Sequence, residues 1–260
     1  MTEFDSLPSN KLLTNVISSN PISKLNSVTE KNQTYNPVYN VSVTPHLKVT
    51  NQKSSGRCWL FAAMNVIRRG LITKLNLEED FELSQNYLFF WDKLERMNYN
   101  LNCVIETREE DVNSRLVQHL LSDPSCDGGQ WDMIVNLVEK YGVVPKDVYQ
   151  ETHHSSNSTE LNDVINAKYR EWAYVLRNCD SVERCNELKD EFISETYKFL
   201  CKFLGKPVYN FNWEYKTKDG GKFTKHINLT PKDFYEQFVK PEFNISDYVC
   251  VINEIGRAHV

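Results

Sequence analysis

The stretch Cys58-Trp-Leu-Phe-Ala-Ala-Met-Asn-Val-Ile67 is apolar nearly all round and follows a polar loop, Asn51-Gln-Lys-Ser-Ser-Gly-Arg57. A segment with so little polar surface to offer water predicts a helix buried among other elements. Arg68, Arg69 and Gly70 supply the cations and the glycine that commonly close a helix, so its end is expected there. The remaining chain must then wrap this helix. With 260 residues, 40% hydrophobic and 25% charged, it has the material for one large or two smaller globular domains, and disorder is excluded as the main state.

Charge and cysteine usage narrow the function classes. Lys plus Arg total 30 against 35 Asp plus Glu, a net charge of -5, so no cationic footprint for a nucleic-acid backbone dominates and nucleic acid is not expected as a partner. The longest apolar stretches, such as Tyr87 to Trp91, fall far below the roughly 20 residues that cross a bilayer, so no membrane span is expected. Met1-Thr-Glu-Phe-Asp5 is acidic where a secretory signal is basic, and no apolar core follows before residue 30. A cytoplasmic location is the expectation. Cys58, Cys103, Cys126, Cys179, Cys185, Cys201 and Cys250 form an odd set without a CxxC pair, which argues against a disulfide framework and a zinc cluster. No metal and no cofactor are expected.

Along the chain, residues 1–44 are rich in Asn, Ser, Thr and Pro without a sustained apolar period, which predicts an arm whose end alone is strand-like. Ser84 is a good N-cap for a helix carrying Tyr87, Leu88, Trp91 and Leu94. Val112, Leu116 and Leu120 mark a third helix, and Ser125-Cys-Asp-Gly-Gly129 is a tight loop before a fourth from Trp131 to Tyr141, closed by Gly142. Residues 160–204 read as mostly helical, with Tyr169, Trp172, Leu176, Leu188, Phe192, Phe199 and Phe203 as candidate buried positions. Alternation beyond Pro207, the turn residues Asp219-Gly220-Gly221 and the return through Phe223 to Ile227 predict a hairpin. Thr230-Pro231 opens a short helix, and Tyr248 to Ile252 reads as a strand.

Cys58 carries the chemistry. A thiol at a helix start lies at the positive end of the dipole, where thiolates form more readily and act as nucleophiles. Gln52, six residues upstream, has an amide able to donate to the oxyanion that forms when a thiolate attacks an amide carbonyl. From position alone the alternative stands beside this reading: Cys58 as a small buried hydrophobe and Gln52 as a loop residue.

The segment Gln52-Lys-Ser-Ser-Gly-Arg-Cys58-Trp59-Leu-Phe-Ala-Ala63 closely resembles the active-site segment of the papain-like cysteine peptidases, and its Ser-Gly-Arg-Cys-Trp-Leu-Phe form is similar to the bleomycin hydrolase (aminopeptidase C) family. Phe81 to Arg96, Cys126-Asp-Gly-Gly-Gln-Trp131 and Phe234 to Pro241 resemble the same family, over about residues 40–253. Ser55 and Arg57 depart from the papain signature CG[SA]C[WY]. In secreted papain-like enzymes the cysteine at the place of Ser55 pairs with one in a later Cys-x-Gly-Gly loop, matched here by Cys126-Asp-Gly128-Gly129, so that disulfide is not expected.

The resemblance implies Cys58 as nucleophile, Gln52 as oxyanion donor, Trp59 as a wall, and Gly128 and Gly129 as the ledge that pairs with substrate main chain, where small residues admit a peptide backbone. It implies an α+β, papain-like fold, mainly its helical half with helical and hairpin insertions, the β half largely missing. The corresponding division is an arm over 1–44, a helical domain with the nucleophile over 45–159, an insertion over 160–229, the start of the remaining papain-like region over 230–253, and an adapter-derived tail over 254–260.

The implied activity is cytosolic aminopeptidase action on peptides and small amides, including bleomycin deamidation and homocysteine thiolactone hydrolysis, by a homohexamer. The family places its catalytic His and Asn far downstream of the cysteine, and the chain is expected to stop before them. None of His46, His119, His153, His154, His226 and His259 lies in the context of that base. His153-His154 is the only doublet, with no carboxylate or cysteine at ligand spacing beside it in the sequence. Alone, residues 1–253 are expected to be unstable and inactive. The alternative is a noncatalytic truncated subunit or an assembly module.

Overall fold

The structure is a computed structural model that describes Phe4 and residues 7–25, 38–42 and 44–251. It divides into two units, residues 1–44 and 45–260. In the first, α1 (Pro8–Ser19) and α2 (Ile22–Leu25) form where the sequence predicts only an arm. Pro8 at the first turn is compatible with a helix start, and the Thr14 hydroxyl donates back to the Asn10 carbonyl at 2.7 Å, so polar residues here ride on helix instead of breaking it. Residues 38–42 are not strand.

The second unit begins its regular structure with α3 (Cys58–Leu75), which runs through Gly70 and does not end there. Leu71 and Ile72 extend the buried face by another turn, and Asn76, left-handed at φ 49°, closes the helix, with the Leu77 N–H donating to the Ile72 carbonyl at 3.0 Å. Gly70 instead serves packing, because a Cβ there comes within 3.0 Å of Glu242 Cβ. Burial is not all round either: Cys58, Ala62 and Val66, four residues apart, remain exposed along one stripe.

Around α3 lie α4 (Gln85–Glu106), α5 (Arg115–Ser122), α6 (Trp131–Tyr141), α7 (His153–Ser156), α8 (Thr159–Arg177) and α9 (Val182–Leu204). Helix α4 is the pillar, packing against α3, α6, α8 and α9. Ser84 caps it as expected, accepting from the Tyr87 N–H at 3.1 Å while donating to the Tyr149 carbonyl at 2.6 Å. Helix α5 starts later than its apolar residues suggest, because Ser114 caps it; Val117 is buried there, while Val112 precedes the helix and Leu116 is exposed. Helix α6 has the expected bounds. Gly142 follows it at φ 72°, where a Cβ falls 2.2 Å from the Pro231 carbonyl oxygen, so only glycine fits this crossing. Tyr169, Trp172 and Leu176 are buried, whereas Leu188, Phe192, Phe199 and Phe203 are half-buried on α9.

The hairpin forms as β1 (Phe211–Lys216) and β2 (Phe223–Leu229), antiparallel, with Phe211 opposite Leu229, Trp213 opposite His226 and an irregularity between. It is anchored by Trp213, whose ring meets Phe234 edge-on at 4.8 Å on α10 (Pro231–Phe234), the short helix opened by Thr230 and Pro231. The strand expected from Tyr248 is absent over residues 248–251; Tyr248 instead stacks on Phe243 at 4.1 Å and its carbonyl accepts from the Trp131 indole. Ile252 and residues 254–260 lie outside the described residues. No described helix is long and apolar enough to cross a membrane.

Candidate active site

Cys58 is the first residue of α3 and is exposed. Among the described residues its sulfur makes one hydrogen bond, a long contact of 3.9 Å to the Gly56 carbonyl. The loop before it is tightly tied. Lys53 is held at φ 55° with its N–H donating to Asn51 Oδ1 at 2.8 Å, an arrangement costing on the order of 1 kcal/mol that the surrounding bonds must offset. The Ser54 N–H donates to the Ser156 carbonyl at 2.9 Å. Gln52 Nε2 donates to the Ser55 carbonyl at 2.6 Å, and Ser55 Oγ donates back to the Gln52 carbonyl at 2.8 Å. An amide nitrogen carries two hydrogens, so this leaves one for another acceptor.

The two departures from the papain signature bond to each other. Arg57 is fully buried; its Nε donates to Ser55 Oγ at 2.9 Å and its two terminal nitrogens grip Glu151 at 3.1 and 2.9 Å. The guanidinium also lies over Phe61 and Phe89 at 5.1 and 5.3 Å. A polar clamp thus ties down the loop around Ser55, and Cys126 is a free, exposed thiol.

Behind the loop lies a residue to which the sequence reading gives no role. Asp127 Oδ2 accepts from the Gly56 N–H at 2.9 Å and from Ser158; Oδ1 accepts from Lys93 Nζ at 2.7 Å and Asn162 at 2.9 Å. Its backbone carbonyl takes the Trp59 indole N–H at 2.7 Å. Lys93, buried on α4, also donates to the Ser125 carbonyl. Burial disfavours the Asp127 carboxylate, but Lys93, Ser158 and the Gly56 N–H outweigh it and hold the pKa down to about 2. The signal was available: a lysine inside the apolar α4 pattern requires an anion, and Asp127 sits in the Cys-x-Gly-Gly loop.

A pH dependence follows from that carboxylate. A group with its pKa lowered to about 2 in the fold, against about 3.9 in the unfolded chain, contributes about 2–3 kcal/mol above pH ~4. This contribution is lost as pH falls toward ~2. Urea titrations in that window should show stability declining with acid, with a shallower slope in Asp127→Asn; an unchanged slope contradicts the assignment.

Trp59, Gly128 and Gly129 are brought together. A Cβ on Gly129 lies 2.7 Å from the Trp59 ring, whereas one on Gly128 meets nothing within 4 Å among the described residues. Arg96, paired with Asp92 at 2.8 Å, donates to the Gly128 carbonyl and lies over Trp59 at 5.9 Å. No hydrogen bond joins Gln52 to Cys58 among the described residues; the two stand at opposite ends of one tied loop. A cavity of about 1210 Å³ borders Arg96 and Cys126 between α4 and α6, but Cys58 does not line it. His226 stacks on Trp213 at 5.9 Å, and His153 and His154 lie on α7, where Glu160, across the turn in α8, comes within 3.9 Å of His154 Nδ1. Glu160, six residues beyond His154, thus brings a carboxylate beside the doublet, contrary to the expectation from its spacing.

The sequence profile of the Peptidase C1-like family matches residues 1–259. Bleomycin hydrolase of Oryctolagus cuniculus is 46% identical over 217 residues, covering 81% of this chain and 78% of that protein. Aminopeptidase C of Listeria monocytogenes is 46% identical over 231 residues, covering 86% of this chain and 52% of that one. Human bleomycin hydrolase is 45% identical over 217 residues, 81% of this chain and 47% of the relative. Among solved structures, PepW from Lactobacillus rhamnosis HN001 superimposes with a TM-score of 0.86 at 38% identity, over 92% of this chain and 54% of that one. The chain thus spans about half the length of the Listeria and human relatives and of PepW. With the family profile matched along the chain and the papain-like fold shared with PepW, this chain belongs to the Peptidase C1-like family, among the relatives of bleomycin hydrolase and aminopeptidase C.

Proposed function

We propose that the chain provides the nucleophile-bearing portion of a cytosolic cysteine aminopeptidase of the bleomycin hydrolase type. The observation that carries this reading is an exposed thiol at the first turn of a buried helix, on a loop pinned by Arg57, Glu151 and Asp127. Cys58 sulfur attacks the carbonyl carbon of the first peptide bond and forms a C–S bond; the amine leaves, and water releases the acid from the thioester. The second hydrogen of the Gln52 amide donates to the oxyanion. Trp59 walls the cleft, and the Gly128-Gly129 backbone aligns substrate main chain.

The proton of the thiol goes to a histidine that the family carries in its second half, with an asparagine orienting that imidazole. The exposed stripe of Cys58, Ala62 and Val66 is the face that receives this half. Bleomycin deamidation, homocysteine thiolactone hydrolysis and a homohexamer belong to the same proposal, with residues 160–229 as an assembly insertion on the helical domain 45–159. The test uses aminoacyl-coumarins and protein expressed from the coding sequence read through to its stop codon. Free-amine substrates should turn over at least ~10-fold faster than their N-acetylated forms, a gap of about 1.4 kcal/mol or more. Equal rates contradict the aminopeptidase reading, and no turnover points to a noncatalytic chain.

A further inference from the structure

We propose that His153, His154 and Glu160 form a binding site for a borderline divalent cation of the zinc, cobalt or nickel kind, acting as a clamp behind the nucleophile loop. One ligand atom from each of the three side chains lies within 4.8 Å of the others. His154 Nδ1 is buried and has no hydrogen-bond partner among the described residues, an arrangement that costs free energy unless something occupies the position. It faces Glu160 Oε2 at 3.9 Å. That gap is too long for a hydrogen bond but less than the sum of two metal–ligand bonds of about 2.1 Å each, so an ion between them meets both at ordinary length. The two imidazole rings stand edge to face, 86° apart with centroids at 5.1 Å.

The scaffold holds these groups in place. Thr152 and Ser155 cap α7 reciprocally, at 3.1 and 2.8 Å, and the His154 ring rests on Phe203 at 4.6 Å. Glu160 is carried on the first turn of α8. Two imidazoles and one carboxylate suit zinc, cobalt or nickel and leave a position for water, whereas calcium and magnesium prefer oxygen throughout. The site adjoins the catalytic loop through backbone bonds: Ser54 N–H to the Ser156 carbonyl, and Ser158 N–H to the Ser54 carbonyl at 3.4 Å. An ion joining α7 to α8 therefore fixes the segment on which residues 54–57 rest.

Cobalt(II) titration of the full-length protein tests the proposal, because thiolate ligation gives an intense near-ultraviolet charge-transfer band that nitrogen and oxygen ligands lack. The expected result is saturable binding without that band, a melting temperature raised by the metal, and affinity weakened at least ~10-fold in both His154→Ala and Glu160→Gln. Glu160 is exposed, so its variant retains the fold. Wild-type affinity in either variant, a thiolate band assigning the ion to cysteines, or no binding overturns the site.

Discussion

Cys58→Ala should reduce turnover of an aminoacyl-coumarin by roughly four orders of magnitude or more in the full-length protein, the scale on which loss of a catalytic nucleophile acts. Its melting temperature should stay close to wild type. The side chain is exposed and makes one long hydrogen bond among the described residues, and alanine is the best helix former at the position that opens α3. The combination separates the nucleophile from the alternative in which Cys58 packs as a small hydrophobe. A packing cysteine predicts the reverse: measurable loss of stability with activity retained.

The second large effect falls on a residue behind the nucleophile loop. Asp127→Ala leaves the Lys93 ammonium buried without its anion and removes the acceptor for Gly56, Ser158 and Asn162. Breaking one side of a buried ion pair costs about 3–5 kcal/mol, which for a protein of this size lowers Tm by roughly 10 °C. Adding Lys93→Met should restore part of that loss, because the orphaned charge is gone and an apolar chain fills the same volume. A cost below about 1 kcal/mol, or no rescue, contradicts the central place given to this carboxylate. Asp127 also accepts the Trp59 indole through its main chain, so the ledge and the nucleophile loop should loosen together.

Local chemistry made much of the architecture legible in the sequence. Ser84, Gly142 and Asp219-Gly220-Gly221 mark boundaries because capping, positive φ and tight turning each demand particular residues. Where distant packing decides, the sequence misleads. Gly70 resembles a helix stop, but Glu242, far along the chain, needs the space that its missing Cβ leaves. Tyr248 has strand composition, yet Phe243 and Trp131 offer its ring and carbonyl better partners than a ladder. The roles proposed for Cys58 and Gln52 rest on spacing and resemblance in the sequence. The Arg57–Glu151 clamp and the Asp127 hub join positions up to 94 residues apart, which no local pattern encodes.

Of the seven thiols, Cys58 is the one proposed to be held ready for attack. Timed iodoacetamide labelling of the full-length protein near neutral pH, with each cysteine followed by peptide mass, tests that readiness directly. Cys58 should be alkylated well before the other six, including the exposed Cys126 and Cys250, and activity should fall in step with its modification. Slow labelling at a common rate for all the exposed thiols, or inactivation that tracks another cysteine, contradicts it.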